Sequence, residues 1–191
     1  MRRRHSDDGQ AIVEIALVLP LIILLVVGLI EFAFILNSRN TVGFASRDAS
    51  MLASEGGSKA GTDCIVLDAI ERDIVSPARA VRITSIKIFW SDRNGDQIGS
   101  NVNVYSRTGS TTCTYGDGSS VTVPYTLSSP GYIEDVRCDV LGGCGGAHTS
   151  LDTVGVQIAY QHRWLTSFAS IMGSSTLDFT ETSATRIEPQ L

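Results

Sequence analysis

An apolar run close to the N-terminus constrains this chain more than any other feature. Residues 15–30 carry no charge, and after Glu31 the apolar character resumes and continues to residue 36. A helix over residues 15–36 rises about 1.5 Å per residue and therefore matches the thickness of a hydrocarbon core. Three arginines at residues 2–4 precede the run, and the first basic residue after it is Arg39. The positive-inside rule then predicts one membrane span, with the N-terminus in the cytoplasm and the rest of the chain outside.

A short motif, Gly9-Gln-Ala-Ile-Val-Glu14, stands directly before this run. A cleaved secretory signal does not fit, because its apolar stretch is shorter and is followed at once by a small-residue cleavage site. An ordinary signal anchor fits the length and the charge but leaves the motif unexplained. The motif, the basic leader, Pro20, the GLIEF segment and the Ala/Ser/Arg-rich continuation together resemble the TadE-like family of the tight-adherence (Tad/Flp) type IV pilus system. This resemblance covers about the first fifty residues.

The resemblance implies a role in pilus assembly. A prepilin peptidase would cleave between Gly9 and Gln10, so that Glu14 becomes the fifth residue of the mature chain. The implied protein is a minor pseudopilin of the inner membrane that acts in pilus assembly, initiation or tip adhesion. Its partners would be the peptidase, other pilins and the assembly machinery. A major pilin of the Flp type is typically much shorter, so the size of the remaining chain favours a minor component.

The chemistry of the motif agrees with this interpretation. Gly9 has no side chain to obstruct a peptidase at the scissile bond, and cleavage creates a new amino group at Gln10. A carboxylate beside hydrocarbon is costly unless it is paired, so Glu14 is a candidate partner for the amine of a neighbouring subunit. The alternative is that Glu14 lies in the hydrated interface. Glu31 is near the outer end of the run, and we expect it to reach headgroups or water; a specific assembly contact is the alternative.

The whole sequence predicts an α+β fold, in which a long N-terminal transmembrane helix is followed by a small antiparallel β-sheet head domain. We divide the chain into a leader at residues 1–9, a transmembrane and stalk helix at residues 10–55, and an exported head at residues 56–191. Small residues at helical spacing continue the helix beyond the span, and Gly56-Gly57 end it. The small-residue face consists of Val42, Ala45, Ala49 and Ala53.

Apolar periodicity and turn residues divide the head into elements. They predict a helix over residues 64–76, a hairpin of strands over residues 81–90 and 98–105, a strand over residues 153–164 and a last strand over residues 177–185. Thr62 or Asp63 is expected to cap the helix. Asn94-Gly95 is the turn of the hairpin. His162 falls on the apolar face of its strand, which indicates a packed histidine. Residues 106–150 are rich in turn-forming residues.

Four cysteines, all beyond the apolar run, point to an oxidising compartment. They are Cys64, Cys113, Cys138 and Cys144. The even number predicts up to two disulfides, and three connectivities are open. Free buried thiols are an alternative. A zinc site would need paired close spacings such as C-x₂-C, which the sequence lacks, so no metal is predicted.

Charge and motif content argue against several function classes. The net charge is −5, and no cluster of Lys and Arg occurs beyond the first four residues, so nucleic-acid binding is not expected. The sequence has no Gly-rich phosphate loop, no G-x-S-x-G elbow and no H-E-x-x-H motif. The sequence has three histidines, and none of them can be proposed as the base for a nucleophile. We therefore predict neither an enzyme nor a cofactor.

The sequence also offers a calcium site and two rival functions. Asp92, Asn94 and Asp96 alternate as in a calcium loop. A calcium loop of the EF-hand type needs Gly and Glu where this sequence has Gln97 and Asn103, so a plain hairpin turn is preferred. The rivals to a pseudopilin are a signal-anchored exported binding or adhesion domain that is not processed, and a disulfide-containing exported enzyme.

Overall fold

The computed structural model describes residues 7–115, 117–141, 144, 148–166 and 173–189. Its helices are α1 (Asp7–Gly56) and α2 (Thr62–Asp73). Its strands are β1 (Ile83–Ser91), β2 (Gln97–Ser106), β3 (Thr111–Thr114), β4 (Ser120–Val123), β5 (Thr126–Ser129), β6 (Thr153–Arg163) and β7 (Thr176–Arg186). Short 3-10 turns lie at Ala80–Arg82 and Glu134–Val136. The predicted α+β class, a long apolar helix followed by an antiparallel sheet, is confirmed. Residues 1–6 of the predicted leader lie outside the described residues.

Five strands form one antiparallel sheet in the order β5-β2-β1-β6-β7, and β3 pairs with β4 in a separate two-stranded sheet. The predicted Asn-Gly hairpin joins β1 to β2, and Gly95 has a φ of 94°, a conformation that favours glycine. The predicted long strand is β6, and the predicted last strand is β7. These two strands stay in register from Thr153 opposite Arg186 to Arg163 opposite Thr176.

The core lies between the two helices and one face of the sheet. Alternate residues of the central strands point to the helices and are fully buried, among them Ile86, Ile88, Val154, Val156 and Ile158. From α1, Val42, Ala45, Ala49 and Ala53 meet this face and are also fully buried, which confirms the predicted small-residue face. Because these side chains are small, the helix approaches the sheet closely, and Ser46 Oγ donates to the Val156 carbonyl at 3.0 Å.

α1 runs parallel to β7 along the head. Arg39 forms an ion pair with Glu181, and Ser50 Oγ lies 2.9 Å from Thr185 Oγ1. Beyond the end of β7, the backbone N–H of residue 188 donates to the carbonyl of residue 54 at 3.2 Å. From residue 39 to 54 the helix rises about 22 Å, and from residue 181 to 188 the strand advances about 23 Å. We call the end of the head where β6 ends and β7 begins the proximal end, and the end where α1 stops the distal end.

Three predictions for the head are corrected by the structure. α2 begins after Gly61, and neither predicted residue caps it: Thr62 Oγ1 donates to the Lys59 carbonyl at 2.7 Å, and the Asp63 carboxylate binds other groups. The helix also ends at Asp73, earlier than predicted. Residues 106–150 contain three short strands as well as turns. Strands of four residues rich in Thr and Ser carry too little alternation to be recognised.

Candidate functional site

The predicted processing motif lies at the exposed start of α1. Gly9 is in the first turn, where helix ends fray, and a Cβ atom added there would meet nothing within 4 Å. Gln10 and Glu14 are exposed, and Gln10 Nε2 donates to Glu14 Oε1 at 3.1 Å across one helical turn. The structure thus brings these two side chains together. Cleavage after Gly9 and a role of Glu14 in assembly stay predictions.

α1 is bare along its apolar segment. Ile12 is 68% exposed and Leu17 is 74% exposed, and large apolar side chains remain exposed as far as Leu36. Within the described residues, none of the most apolar part of the helix is buried, and the helix continues through Pro20. By length and composition, α1 is able to cross a membrane.

The expectation that Glu31 reaches headgroups or water is wrong, because Glu31 is only 1% exposed. Its carboxylate accepts the backbone N–H of Leu165 at 3.3 Å and that of Thr166. These residues follow β6, so the connection towards β7 contacts the helix at this point. A sequence signal could have indicated the burial. Glu31 precedes Ser38 and Ala45 at seven-residue spacing, which places it on the helix face that packs on the sheet.

All four cysteines form disulfides, so the prediction of up to two disulfides is confirmed and the alternative of free thiols is wrong. Cys64 bonds to Cys113, with Cα atoms 6.2 Å apart, and Cys138 bonds to Cys144, with Cα atoms 5.4 Å apart. The sequence could not choose this connectivity. The fold determines the connectivity, because α2 packs beside the two-stranded sheet and so brings Cys64 close to Cys113.

A buried polar cluster, which the sequence analysis missed, connects α2 with β2. At its centre, Asp63 is 2% exposed and pairs with Arg137. The other carboxylate oxygen accepts hydrogen bonds from Asn103 Nδ2 at 2.9 Å and from the Tyr105 hydroxyl at 2.7 Å. Burial, and then the carboxylate, raise the pKa of Tyr105, so its hydroxyl stays a donor. Such a satisfied cluster is structural, and the sequence did not distinguish its members from surface polar residues.

The two histidines in the described part of the chain are both packed. His148 Nδ1 lies 2.6 Å from Asp152 Oδ1, and the His148 ring stacks on Trp90 with centroids 4.4 Å apart. His162 is 1% exposed, as predicted. Burial is the main cause that lowers the pKa of His162, and the charge of Arg82 is the second. Among the described residues, no three His, Cys, Asp or Glu side chains are grouped to hold a metal ion.

The acidic hairpin turn is closed by its own backbone. Asp92 Oδ1 accepts the backbone N–H of Asn94 at 2.8 Å and that of Asp96 at 2.9 Å. These hydrogen bonds are the largest group of causes that lower the pKa of Asp92, led by the one from Asp96. The geometry is that of an Asx turn, in which the first carboxylate holds the loop.

A comparison with protein families finds a match within α1. The family model described as TadE-like protein matches residues 9–51, which include the Gly9–Glu14 motif and Glu31 and end within α1. No curated protein and no solved structure matches the chain. The resemblance drawn from the sequence is therefore confirmed over the same segment. Over residues 9–51 the chain is thus similar to the TadE-like family, which supports a component associated with Tad pilus systems.

Proposed function

We propose that this chain is a minor pseudopilin of a Tad/Flp-type type IV pilus, a structural component in pilus assembly, initiation or tip adhesion. The family match supports the proposal, because it covers both the motif and the bare helix. One observation carries it: the most apolar part of α1 has no partner in the described part of the chain. Such a surface requires a cover of lipid or of other helices. A pilin uses both, the membrane before assembly and neighbouring subunits afterwards.

The contact at Glu31 supports a more definite position for the span. A carboxylate that binds two backbone N–H groups of the head belongs outside the hydrocarbon core. Residues 10–30 rise about 31 Å in a helix, which equals the thickness of that core. The transmembrane segment of the mature chain would then end at residue 30, earlier than the apolar run suggests. The leader would be residues 1–9, with the N-terminus in the cytoplasm and the head outside the inner membrane.

Glu14 has a special position in this arrangement. Cleavage after Gly9 would leave a charged amine at Gln10, one helical turn from the carboxylate. Both groups would lie at the cytoplasmic boundary of the hydrocarbon core, where an unpaired charge is costly. Pairing of Glu14 with the amine of an adjoining subunit would satisfy both charges and set the axial position of each new subunit.

The second candidate function is a signal-anchored exported binding or adhesion domain. It shares the bare helix and the two disulfides with a pseudopilin. It differs at one bond, because it needs no cleavage between Gly9 and Gln10.

Intact mass and N-terminal sequencing of the membrane-extracted protein test the proposal. In cells with active prepilin peptidase, we expect a mature chain that begins at Gln10. Gly9→Leu should keep the leader, because a bulky side chain obstructs the scissile bond. Gly9→Ala is the matched control: its added Cβ meets no atom, so folding is unaffected and the small side chain should still permit cleavage. A wild-type chain that retains Met1, or normal processing of Gly9→Leu, would favour the signal-anchored alternative.

A further inference from the structure

The proximal end of the head lies at the level where the bare segment of α1 begins. Glu31 marks this level, because it accepts the N–H groups of Leu165 and Thr166 just beyond the end of β6. The residues that precede it on the helix, 15–30, are uncharged. Since α1 runs parallel to β7, the strands of the sheet point along the direction of the helix and meet this level with one end.

Apolar side chains are exposed at the proximal end. Leu165 is 54% exposed and Leu177, at the start of β7, is 39% exposed. Val81, in the turn that precedes β1, is 67% exposed. Trp164 lies between the end of β6 and Leu165 and is partly exposed. Isolated exposed apolar residues occur elsewhere on the head and need no explanation. These ones differ because they lie at the end of the head from which the bare helix leaves.

Arginines accompany the apolar side chains. Arg82 follows Val81, and its charge contributes, after burial, to the lowered pKa of His162. Arg163 is the last residue of β6. Neither arginine forms an ion pair with any part of the chain that the structure describes. Asp178, beside Leu177, is an exposed carboxylate that partly offsets them. Two such cations are notable in a chain whose net charge is −5.

We propose that the proximal end docks on the outer surface of the membrane that α1 crosses. Val81, Leu165 and Trp164 would enter the boundary between headgroups and acyl chains, where Trp is favoured. Arg82 and Arg163 would contact the phosphates of anionic lipids. The headgroup layer on each side of the core is roughly 5–8 Å thick, so residues level with Glu31 lie within it if the core ends at residue 30.

This inference rests on the membrane anchoring that the proposed function contains, and it adds a consequence. A docked head is held in one orientation on the membrane before assembly, instead of moving freely about its stalk. Each arginine on an anionic surface favours the docked state by about fivefold, so docking should depend on lipid charge and on salt.

The chain carries two tryptophans suited to the test. Trp164 is at the proximal end, and Trp90 is paired with Val154 near the distal end of β6. Ten residues of strand separate the two levels by about 33 Å. Trp90→Phe therefore leaves a single reporter near the proposed docking surface, and Trp164→Phe leaves a matched reporter far from it.

The experiment uses the full chain reconstituted in phosphatidylcholine vesicles with acyl-brominated lipids, with and without phosphatidylglycerol. We expect the fluorescence of Trp164 to be quenched several-fold more strongly than that of Trp90. The quenching of Trp164 should increase with phosphatidylglycerol and decrease with added salt. Equal quenching of the two reporters, or none of Trp164, would overturn the docking. Quenching that follows the protein-to-lipid ratio would also overturn it, because the surface then binds a second copy.

Charge variants complete the test. Arg82→Gln with Arg163→Gln should remove the effect of phosphatidylglycerol on Trp164 quenching. Arg93→Gln with Arg186→Gln makes the same change of charge at the distal end and should retain the effect. Extraction of the vesicles with alkali separates the two proposals. A chain that alkali removes overturns both the anchoring and the docking, whereas an integrated chain with unquenched Trp164 overturns the docking alone.

Discussion

Glu31 connects α1 to the segment between β6 and β7, and a single substitution tests how much that contact contributes. Glu31→Gln leaves one carbonyl oxygen for the two N–H groups of Leu165 and Thr166 that now share a carboxylate. Hydrogen bonds to a charged acceptor are the stronger ones, so we expect a loss of about 1–2 kcal/mol in the free energy of unfolding. Thermal unfolding in detergent measures the loss, and amide exchange at residues 165 and 166 should become faster.

Glu14→Gln is the control for this substitution. It removes the same charge from the same helix, at an exposed position where the carboxylate accepts a hydrogen bond from Gln10 of the same helix, so the stability of the head should not change. If Glu31→Gln and Glu14→Gln unfold at the same temperature as the wild type, the buried carboxylate does not stabilise the attachment.

The residues that the sequence predicted correctly are those with a periodic neighbourhood. His162 stands in an alternating strand, and Ala45 and Ala49 stand on a helical face, so their burial follows from position alone. The partners of Glu31 and Asp63, among them Thr166 and Arg137, could not be predicted because they are distant in the sequence. A pattern within one element cannot indicate a partner that only the fold brings near.

The elements differ in the same way. β6, β7 and the hairpin of β1 and β2 are long and carry either strict alternation or an Asn-Gly turn, so their existence was predictable. β3, β4 and β5 have four residues each and were not recognised. The end of α2 was misplaced for a related reason, since helix boundaries depend on backbone conformation and not on the apolar pattern alone. The pairing of the cysteines needed the position of α2 beside β3.

The disulfides give a prediction at the scale of elements. Cys64 and Cys113 are 49 residues apart, whereas Cys138 and Cys144 are 6 apart. Loop-closure entropy assigns about 4 kcal/mol to the long loop and about 2 kcal/mol to the short one. Cys64→Ala with Cys113→Ala should therefore destabilise the head more than Cys138→Ala with Cys144→Ala. Urea unfolding of the full chain in detergent compares the two pairs. Equal losses would show that loop length does not determine the stabilisation here.

At the scale of the whole molecule, one part of α1 packs on the head and another part is exposed. From residue 31 to 53 its small-residue face packs on the sheet, and towards the N-terminus it is bare. The family match ends at residue 51, close to the end of this packed part, so the TadE-like segment includes both the bare helix and the surface that holds the head. In the proposed function, this arrangement would let the head keep its position on the helix while the bare segment exchanges lipid for neighbouring subunits.

That exchange is where Glu14 should matter. Glu14→Gln removes a charge beside hydrocarbon, so membrane insertion should be unchanged or slightly improved. If Glu14 pairs with the amine of an adjoining subunit, the variant should be inserted and stable yet incorporated poorly into pili. Asp135→Asn, which removes an exposed carboxylate of the head, is the matched control and should be incorporated normally. The measurement is the incorporation of each chain into sheared pili at equal membrane levels, with removal of the leader verified separately by mass. Normal incorporation of Glu14→Gln would leave Glu14 as a solvated residue of the interface.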